Sequence, residues 1–320
     1  MLARRISLVS ERRRWGLPQM GTTRRSSSRS RSRSRSITTT PISQVEIDND
    51  GDNHSIADLI RPHYENQTPL ILKNYARDWP ALSQWTNWDY LKRQVGEDWP
   101  CDVEMGTYNN SERLTIPFGS YVDYLLLYRE QQERMEAKNE DSESTPILYL
   151  AQNDLPHGLY DDIVLPPFLN TNRDDISSTE KVNRSTMNGS FMLGQGKLYQ
   201  CMWWMGPPRA ESPLHFDPLD NILVQVVGQK HVVLLDRMIP REKLCAGAAY
   251  GQQENTSALP IRQWLRGETG SKNVSLNASA YLPFLQGTLE PSDALFIPAK
   301  WWHYIESPVD FTISVNVWWR

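Results

Sequence analysis

Two histidines and an aspartate stand at spacings that suit a single metal ion. His215 and Asp217 lie two residues apart in Ser212-Pro-Leu-His-Phe-Asp-Pro. Side chains on an extended strand repeat with period 2, so both leave the backbone on the same side. A third ligand has to come from elsewhere. His303 is the candidate, because it follows a second strand-like run, Ala294-Leu-Phe-Ile-Pro298, which can lie beside the first in an antiparallel sheet. Two imidazoles and one carboxylate close one face of an octahedron and leave the other open, the arrangement of non-haem Fe(II) oxygenase chemistry. A closed structural zinc site takes four ligands, commonly thiolates. The three cysteines, Cys101, Cys201 and Cys245, are widely separated with no paired spacing, which argues against such a site and against a disulfide framework.

The elements that must position these residues are mostly short strands. Cys101–Met105, Ile147–Gln152, Gly196–Met205, Ala294–Pro298 and Phe311–Trp318 read as β structure, and Asn221–Asp236 reads as two strands broken by Gly228-Gln229 in a hairpin-like pattern. Pro69–Lys73 is a further strand. Helices are expected at Ile56–Ile60, Asn87–Val95 and Ser120–Lys138. In the last of these Tyr121, Tyr124, Leu125 and Tyr128 fall at helical spacing and Ser120 can cap the first turn. Residues 240 to 280 read as irregular, and Asn170–Ser190 as a polar surface loop. Strands without regular intervening helices point to a mainly β protein, an antiparallel barrel or double sheet with N-terminal helical decoration.

Composition sets the outer limits. The formal charge of −4 hides an uneven distribution: residues 1–45 hold eleven arginines, no lysine and one acid, Glu11. The body is therefore acidic, which disfavours a broad nucleic-acid surface and leaves nucleic acid to the basic tail alone. Like charges and little to bury make residues 1–45 a disordered Arg/Ser-rich extension. It reads as a mitochondrial presequence, a phosphorylatable serine-arginine tail or a plain extension. No apolar run approaches a membrane span, and the expected setting is intracellular, mitochondrial or nuclear and cytoplasmic. Eight Asn-X-Ser/Thr triplets, without a secretory signal, read as by-products of Asn/Ser-rich loops.

Several motifs together carry a family likeness. Ser212-Pro-Leu-His-Phe-Asp-Pro with Asn221 and Gly228-Gln-Lys230, then Pro291-Ser-Asp-Ala-Leu-Phe-Ile-Pro-Ala-Lys-Trp-Trp-His303, then Ser314-Val-Asn-Val-Trp-Trp319, resemble the Jumonji C (JmjC) family of cupin-like 2-oxoglutarate oxygenases, in its hydroxylase-type branch. The likeness extends over about residues 46–320. It implies a double-stranded β-helix (a jelly-roll, cupin-like barrel) over residues 146–320, with residues 46–145 packing on it. It implies Fe(II) held by His215, Asp217 and His303, and 2-oxoglutarate and O2 as cosubstrates. Lys230 would meet the far carboxylate of 2-oxoglutarate, with Tyr149 and Ser212 as hydroxyl donors, Asn221 lining the pocket and Trp204 walling it. The implied activity is hydroxylation of a protein or peptide side chain with release of succinate and CO2. Demethylation, tRNA-base hydroxylation and a silent binding scaffold are the alternatives, and oligomeric state is left open. His54, His63, His157 and His231 are expected to be structural or solvated, and most of the twelve tryptophans, Trp318 and Trp319 included, to be packing. Cys245 is expected to be inert.

Overall fold

Alternating residues along the C-terminal strands build two sheets packed face to face. The computed structural model describes residues 39–47, 55–105, 112–138, 146–169, 192–244, 255–257, 259–266 and 282–320. Within them the chain runs β1 (Thr39–Pro41), β2 (Gln44–Glu46), α1 (Ile56–Asn66), β3 (Leu70–Lys73), α2 (Ala81–Gln84), α3 (Trp88–Val95), β4 (Pro100–Met105), β5 (Glu112–Pro117), α4 (Phe118–Lys138) and β6 (Leu148–Asp154). There follow β7 (Leu198–Gly206), β8 (Glu211–Phe216), β9 (Asp220–Val227), β10 (Lys230–Leu235), α5 (Ile261–Leu265), β11 (Phe284–Leu289), β12 (Ala294–Ile297), β13 (Trp302–Glu306) and β14 (Thr312–Trp319). The small sheet has the order β1-β11-β10-β13-β8 and the large one β2-β3-β12-β9-β14-β7-β6-β4-β5. From β7 onward the chain changes sheet at every turn except that between β10 and β11, which is the expected jelly-roll winding.

Three apolar layers follow. Between the sheets lie Leu223, Leu295 and Ile297 of the large sheet and Val232, Leu234, Leu289 and Ile305 of the small one. The outer face of the large sheet, with Ile222, Val224, Val315 and Trp319, packs under helical residues such as Ile60, Leu91, Phe118 and Tyr121. The outer face of the small sheet, with Leu214, Val233, Trp302 and Tyr304, is covered by Leu244, Ile261 and Trp264. The central strands therefore have no solvent face over much of their length, as in β12 and in β14, where all eight residues are buried.

Four expectations change. Gly228-Gln229 does not close a hairpin: β9 and β10 belong to different sheets. The turn carries the chain across the barrel, with Gly228 at φ +68° and so near Phe311 that an added Cβ would stand 2.2 Å from its carbonyl oxygen. Ser120 does not cap α4, which begins two residues earlier. The first amides of α4 are satisfied instead by backbone: Phe118 N donates to the Trp99 carbonyl and Gly119 N to that of Glu97, each at 2.8 Å. The boundary drawn at residue 45 falls inside the folded part, since β1 pairs in parallel with β11 and β2 with β3. Within residues 240–280, α5 is a regular element and Thr256 bridges to His215.

Asn87 accepts from Tyr90 N at 3.1 Å and caps α3, and Ser55 caps α1. Cys101 and Cys201 are buried and free. Among the described residues no helix is long and apolar enough to cross a membrane. Residues 1–38, the Asn170–Ser190 segment, His54 and Cys245 lie outside the described residues.

Candidate metal centre

The third histidine arrives by a different route from the one expected. Ala294–Ile297 does not lie beside the strand of His215; it pairs with β3 and β9 in the large sheet. The turn after it returns the chain to the small sheet, and His303 sits within its own strand, β13, directly opposite His215 of β8. The two rings are 4.2 Å apart between centroids. Asp217 follows the end of β8, with an Oδ2 atom 3.7 Å from His303 Nε2. Ligand atoms of His215, Asp217 and His303 all lie within 4.8 Å of one another.

Backbone contacts orient each of these groups. His215 Nδ1 is 2.7 Å from the Pro213 carbonyl and His303 Nδ1 is 2.9 Å from that of Trp301. A carbonyl only accepts, so Nδ1 carries the proton in both rings and Nε2 keeps its lone pair for a ligand role. Burial, and then the neighbouring His215 imidazole, push the His303 pKa below its ordinary value and keep the ring neutral. Lys300 N donates to the Asp217 carbonyl at 2.8 Å, and Ala299 N to the Asp220 carboxylate at 2.8 Å. These bonds lock the β12–β13 turn against the turn after β8. The Asp217 carboxylate itself accepts from the Trp318 indole, Nε1 to Oδ2, at 3.2 Å.

A bulge in β8 adds a second set of residues to this face. Opposite β13 the register runs His303 to His215 but Ile305 to Ser212, so Tyr304 faces two residues of β8. Proline, with no amide to donate, is tolerated at such a place. Strict alternation would point Ser212 outward. The extra residue brings it inward with Ile305, while Leu214 and Tyr304 pack on the outer face.

Lys230 begins β10 on the inner face and is only 2% exposed. Its ammonium donates to the Tyr149 hydroxyl at 3.1 Å and lies 5.6 Å from the Tyr149 ring and 5.9 Å from that of Trp204. The Ser212 hydroxyl bonds the same phenol. Among the described residues no carboxylate lies within salt-bridge distance of Lys230, and burial pushes its pKa down to about 7. Gly206 lets Tyr149 lie flat against β7, since a Cβ there would meet its ring at 2.6 Å.

Four buried polar atoms on this face have no hydrogen-bond partner: Asn221 Nδ2, Trp204 Nε1, Gln225 Oε1 and Ser314 Oγ. Ser314 is paired in register with both Trp204 and Gln225. Buried polar groups are normally satisfied, so these atoms and the lone ammonium suit a polar, anionic small molecule. The donor set also fits Fe(II): two neutral imidazoles and one carboxylate gathered at one point, with no fourth histidine, cysteine or acid joining them among the described residues.

The sequence gives no site role to Asn316, which donates to Asn221 Oδ1 at 3.0 Å, or to Ser314 and Gln225, and it assigns to packing Trp318, whose indole reaches Asp217. The alternation in Ser314-Val-Asn-Val-Trp was the available signal, because it places residues 314, 316 and 318 on one face. The tyrosines of α4 do more than pack. Tyr121 donates to the Met205 carbonyl at 2.5 Å and accepts from Leu150 N, and Tyr124 accepts from Leu148 N, which pins the strand bearing Tyr149. Among the other described histidines, His63 contacts Thr68, His157 packs near Tyr160, and His231 faces Glu306 at 3.7 Å. None joins the site.

Comparison with known proteins agrees with this geometry. The cupin-like domain family matches residues 57–320. Lysine-specific demethylase JMJ30 of Arabidopsis thaliana is 30% identical over 273 residues, covering 83% of this chain and 53% of that protein. Jumonji C domain-containing protein 5 of Drosophila melanogaster is 27% identical, covering 80% of this chain and 56% of that protein. Lysine-specific demethylase 8 of Xenopus tropicalis is 28% identical, covering 81% and 50%. The chain thus spans about half the length of the curated relatives it matches. With this jelly-roll barrel and these matches, the chain belongs to the cupin-like JmjC family of oxygenases, which use Fe(II), 2-oxoglutarate and O2.

Proposed function

We propose that the protein is a 2-oxoglutarate-dependent dioxygenase that hydroxylates a protein side chain. The observation that carries this reading is the pairing, on one inner face, of a three-ligand cluster with a buried ammonium whose hydrogen-bond partner is a phenol. His215 and His303 would hold Fe(II) through Nε2 and Asp217 through its carboxylate. Lys230 would bind the far carboxylate of 2-oxoglutarate, helped by the Tyr149 and Ser212 hydroxyls, with Asn221 lining the pocket. When bound, Fe(II), 2-oxoglutarate and O2 together supply an oxidant able to hydroxylate an unactivated C–H bond, with release of succinate and CO2.

The chain's own residues prepare that chemistry. The Pro213 and Trp301 carbonyls keep the protons on Nδ1 of the two imidazoles. A carboxylate arriving beside Lys230 favours its charged form, replacing the water that burial has removed with a fixed ionic partner. Tyr149, Trp204 and Trp318 wall the inner face and limit water near the ligand cluster. The substrate carbon has to be brought to the ligand positions that the three side chains leave free.

Demethylation is a second reading, favoured by the names of two of the relatives, both lysine-specific demethylases. It uses the same ligands and cosubstrate and differs in product, since hydroxylation of an N-methyl carbon ends in formaldehyde. Incubation with Fe(II), 2-oxoglutarate and a library of unmodified and N-methylated peptides separates the readings. Succinate with a stable gain of one oxygen atom supports the hydroxylase, and succinate with formaldehyde the demethylase. Failure of the purified protein to bind Fe(II) or Mn(II) would remove both and leave a binding scaffold.

A further inference from the structure

Resting on the metal site proposed above, we infer that Trp318 is a positioning residue, whose indole N–H fixes the Asp217 carboxylate as a one-oxygen ligand. The oxygen that Trp318 holds at 3.2 Å is Oδ2, the same atom that stands 3.7 Å from His303 Nε2. It is the oxygen turned toward His303. A carboxylate oxygen offers two lone-pair directions; the indole occupies one and leaves the other for a metal.

Asp217 needs this constraint more than its partners do. Each histidine is held twice, by its place in a paired strand and by a carbonyl on Nδ1. Asp217 lies just beyond β8, where the regular ladder has ended. Its backbone is fixed by Lys300 N, but that bond leaves the carboxyl torsion free. Trp318 is the residue that fixes it, from the far sheet. Its strand, β14, is paired on both sides, with β7 and β9, and Trp318 stands in register with Gln200 and Asn221. The ring is 9% exposed among Tyr149, Ala151 and Trp204, so the N–H is presented from a rigid wall. A carboxylate free to turn would offer both oxygens to the metal and take up a position that 2-oxoglutarate and O2 require.

Trp319 supplies the internal control. It is adjacent in sequence, fully buried, and packs on the opposite face of the same strand, against Phe168 and Phe296. Its own Nε1 has no partner.

The test measures Co(II) and Mn(II) dissociation constants by calorimetry, together with the visible spectrum of the Co(II) form. Trp318→Phe keeps an aromatic ring and removes the donor. It is expected to weaken metal binding about ten- to a hundredfold, the usual consequence of removing a ligand's hydrogen-bond partner, and to change the Co(II) spectrum. Trp319→Phe is expected to leave both unchanged. Should Trp318→Phe not fold, replacing Trp318 alone by its benzothiophene analogue retains the bicyclic shape and lacks only the N–H. Unchanged affinity and spectrum in the Trp318 variant, or equal weakening in Trp319→Phe, overturns the positioning role. Absence of metal binding by the unaltered protein overturns the metal site itself, a distinct result.

Discussion

The two faces of β14 have nearly the same burial and opposite chemistry. Ile313, Val315, Val317 and Trp319 point outward beneath the helices, while Thr312, Ser314, Asn316 and Trp318 point into the barrel. The outer row is closed by apolar contacts. The inner row carries polar atoms that pair with residues of other elements, Thr312 with Ser307, Asn316 with Asn221 and Trp318 with Asp217, or, at Ser314, with nothing. An apolar-polar alternation ordinarily marks a strand with one wet face. Here the polar half is dry, and desolvation without full pairing has a stability cost that a polar ligand would offset.

The contrast can be broken from either side. The largest effect should come from Asp217→Ala. It removes one of the three proposed ligands outright, so Mn(II) or Co(II) affinity is expected to fall by more than the roughly hundredfold usual for outer partners, with succinate production lost and circular dichroism retained. On the other face, Trp203→Ala should leave metal affinity in the folded fraction intact and cost about 3–5 kcal/mol of stability, measured by denaturant unfolding. Trp203 is fully buried among Trp85, Trp99 and Phe118.

Lys230→Met sharpens the comparison because its two consequences have opposite signs. Removing a buried, desolvated ammonium should raise the unfolding midpoint of the metal-free protein. Affinity for 2-oxoglutarate should fall by about 2–5 kcal/mol, the usual range for truncating one member of a buried charge pair. A variant that binds the cosubstrate as before would dismiss Lys230 from its assigned role.

The smallest effect is a pH dependence. Burial lowers the Lys230 pKa to about 7, far under its unfolded value. The unfolded chain therefore binds the extra proton between these two values, and this residue's contribution makes stability rise with pH across that window. In the proposed site cosubstrate binding needs the ammonium, so 2-oxoglutarate affinity should fall above about pH 7, by up to about tenfold per unit. Calorimetry in two buffers of different ionisation enthalpy would register the proton taken up, and a flat profile would mean that Lys230 stays charged without its ligand.

The chemistry was more legible in the sequence than the geometry that delivers it. Strand periodicity was enough to suggest His215 and Asp217 as a pair, and the motifs around Lys230 and His303 carried the family likeness. Pairing partners were not legible, because nothing local tells that Ala294–Ile297 joins the large sheet while His303 crosses to the small one. Gly228-Gln229 has hairpin composition, yet its neighbours leave in different sheets. Ser120 looked like a cap, but distant carbonyls satisfy the start of α4. Residues 39–46 share the polar character of the tail and are ordered by strands that lie far along the chain. Trp318 was not legible as a polar contact, because an indole is mostly apolar surface and its one N–H donor finds Asp217 only through the fold.

The bulge opposite Tyr304 gives strand length an importance separate from residue identity. A substitution at Ser212 or at His215 damages one anchor and spares the other. Inserting one residue between them turns Ser212 to the outside while the imidazole stays where it is. Such a protein would keep the three-ligand cluster yet lose a hydroxyl from the proposed keto-acid pocket, a defect no single replacement elsewhere in the strand can restore.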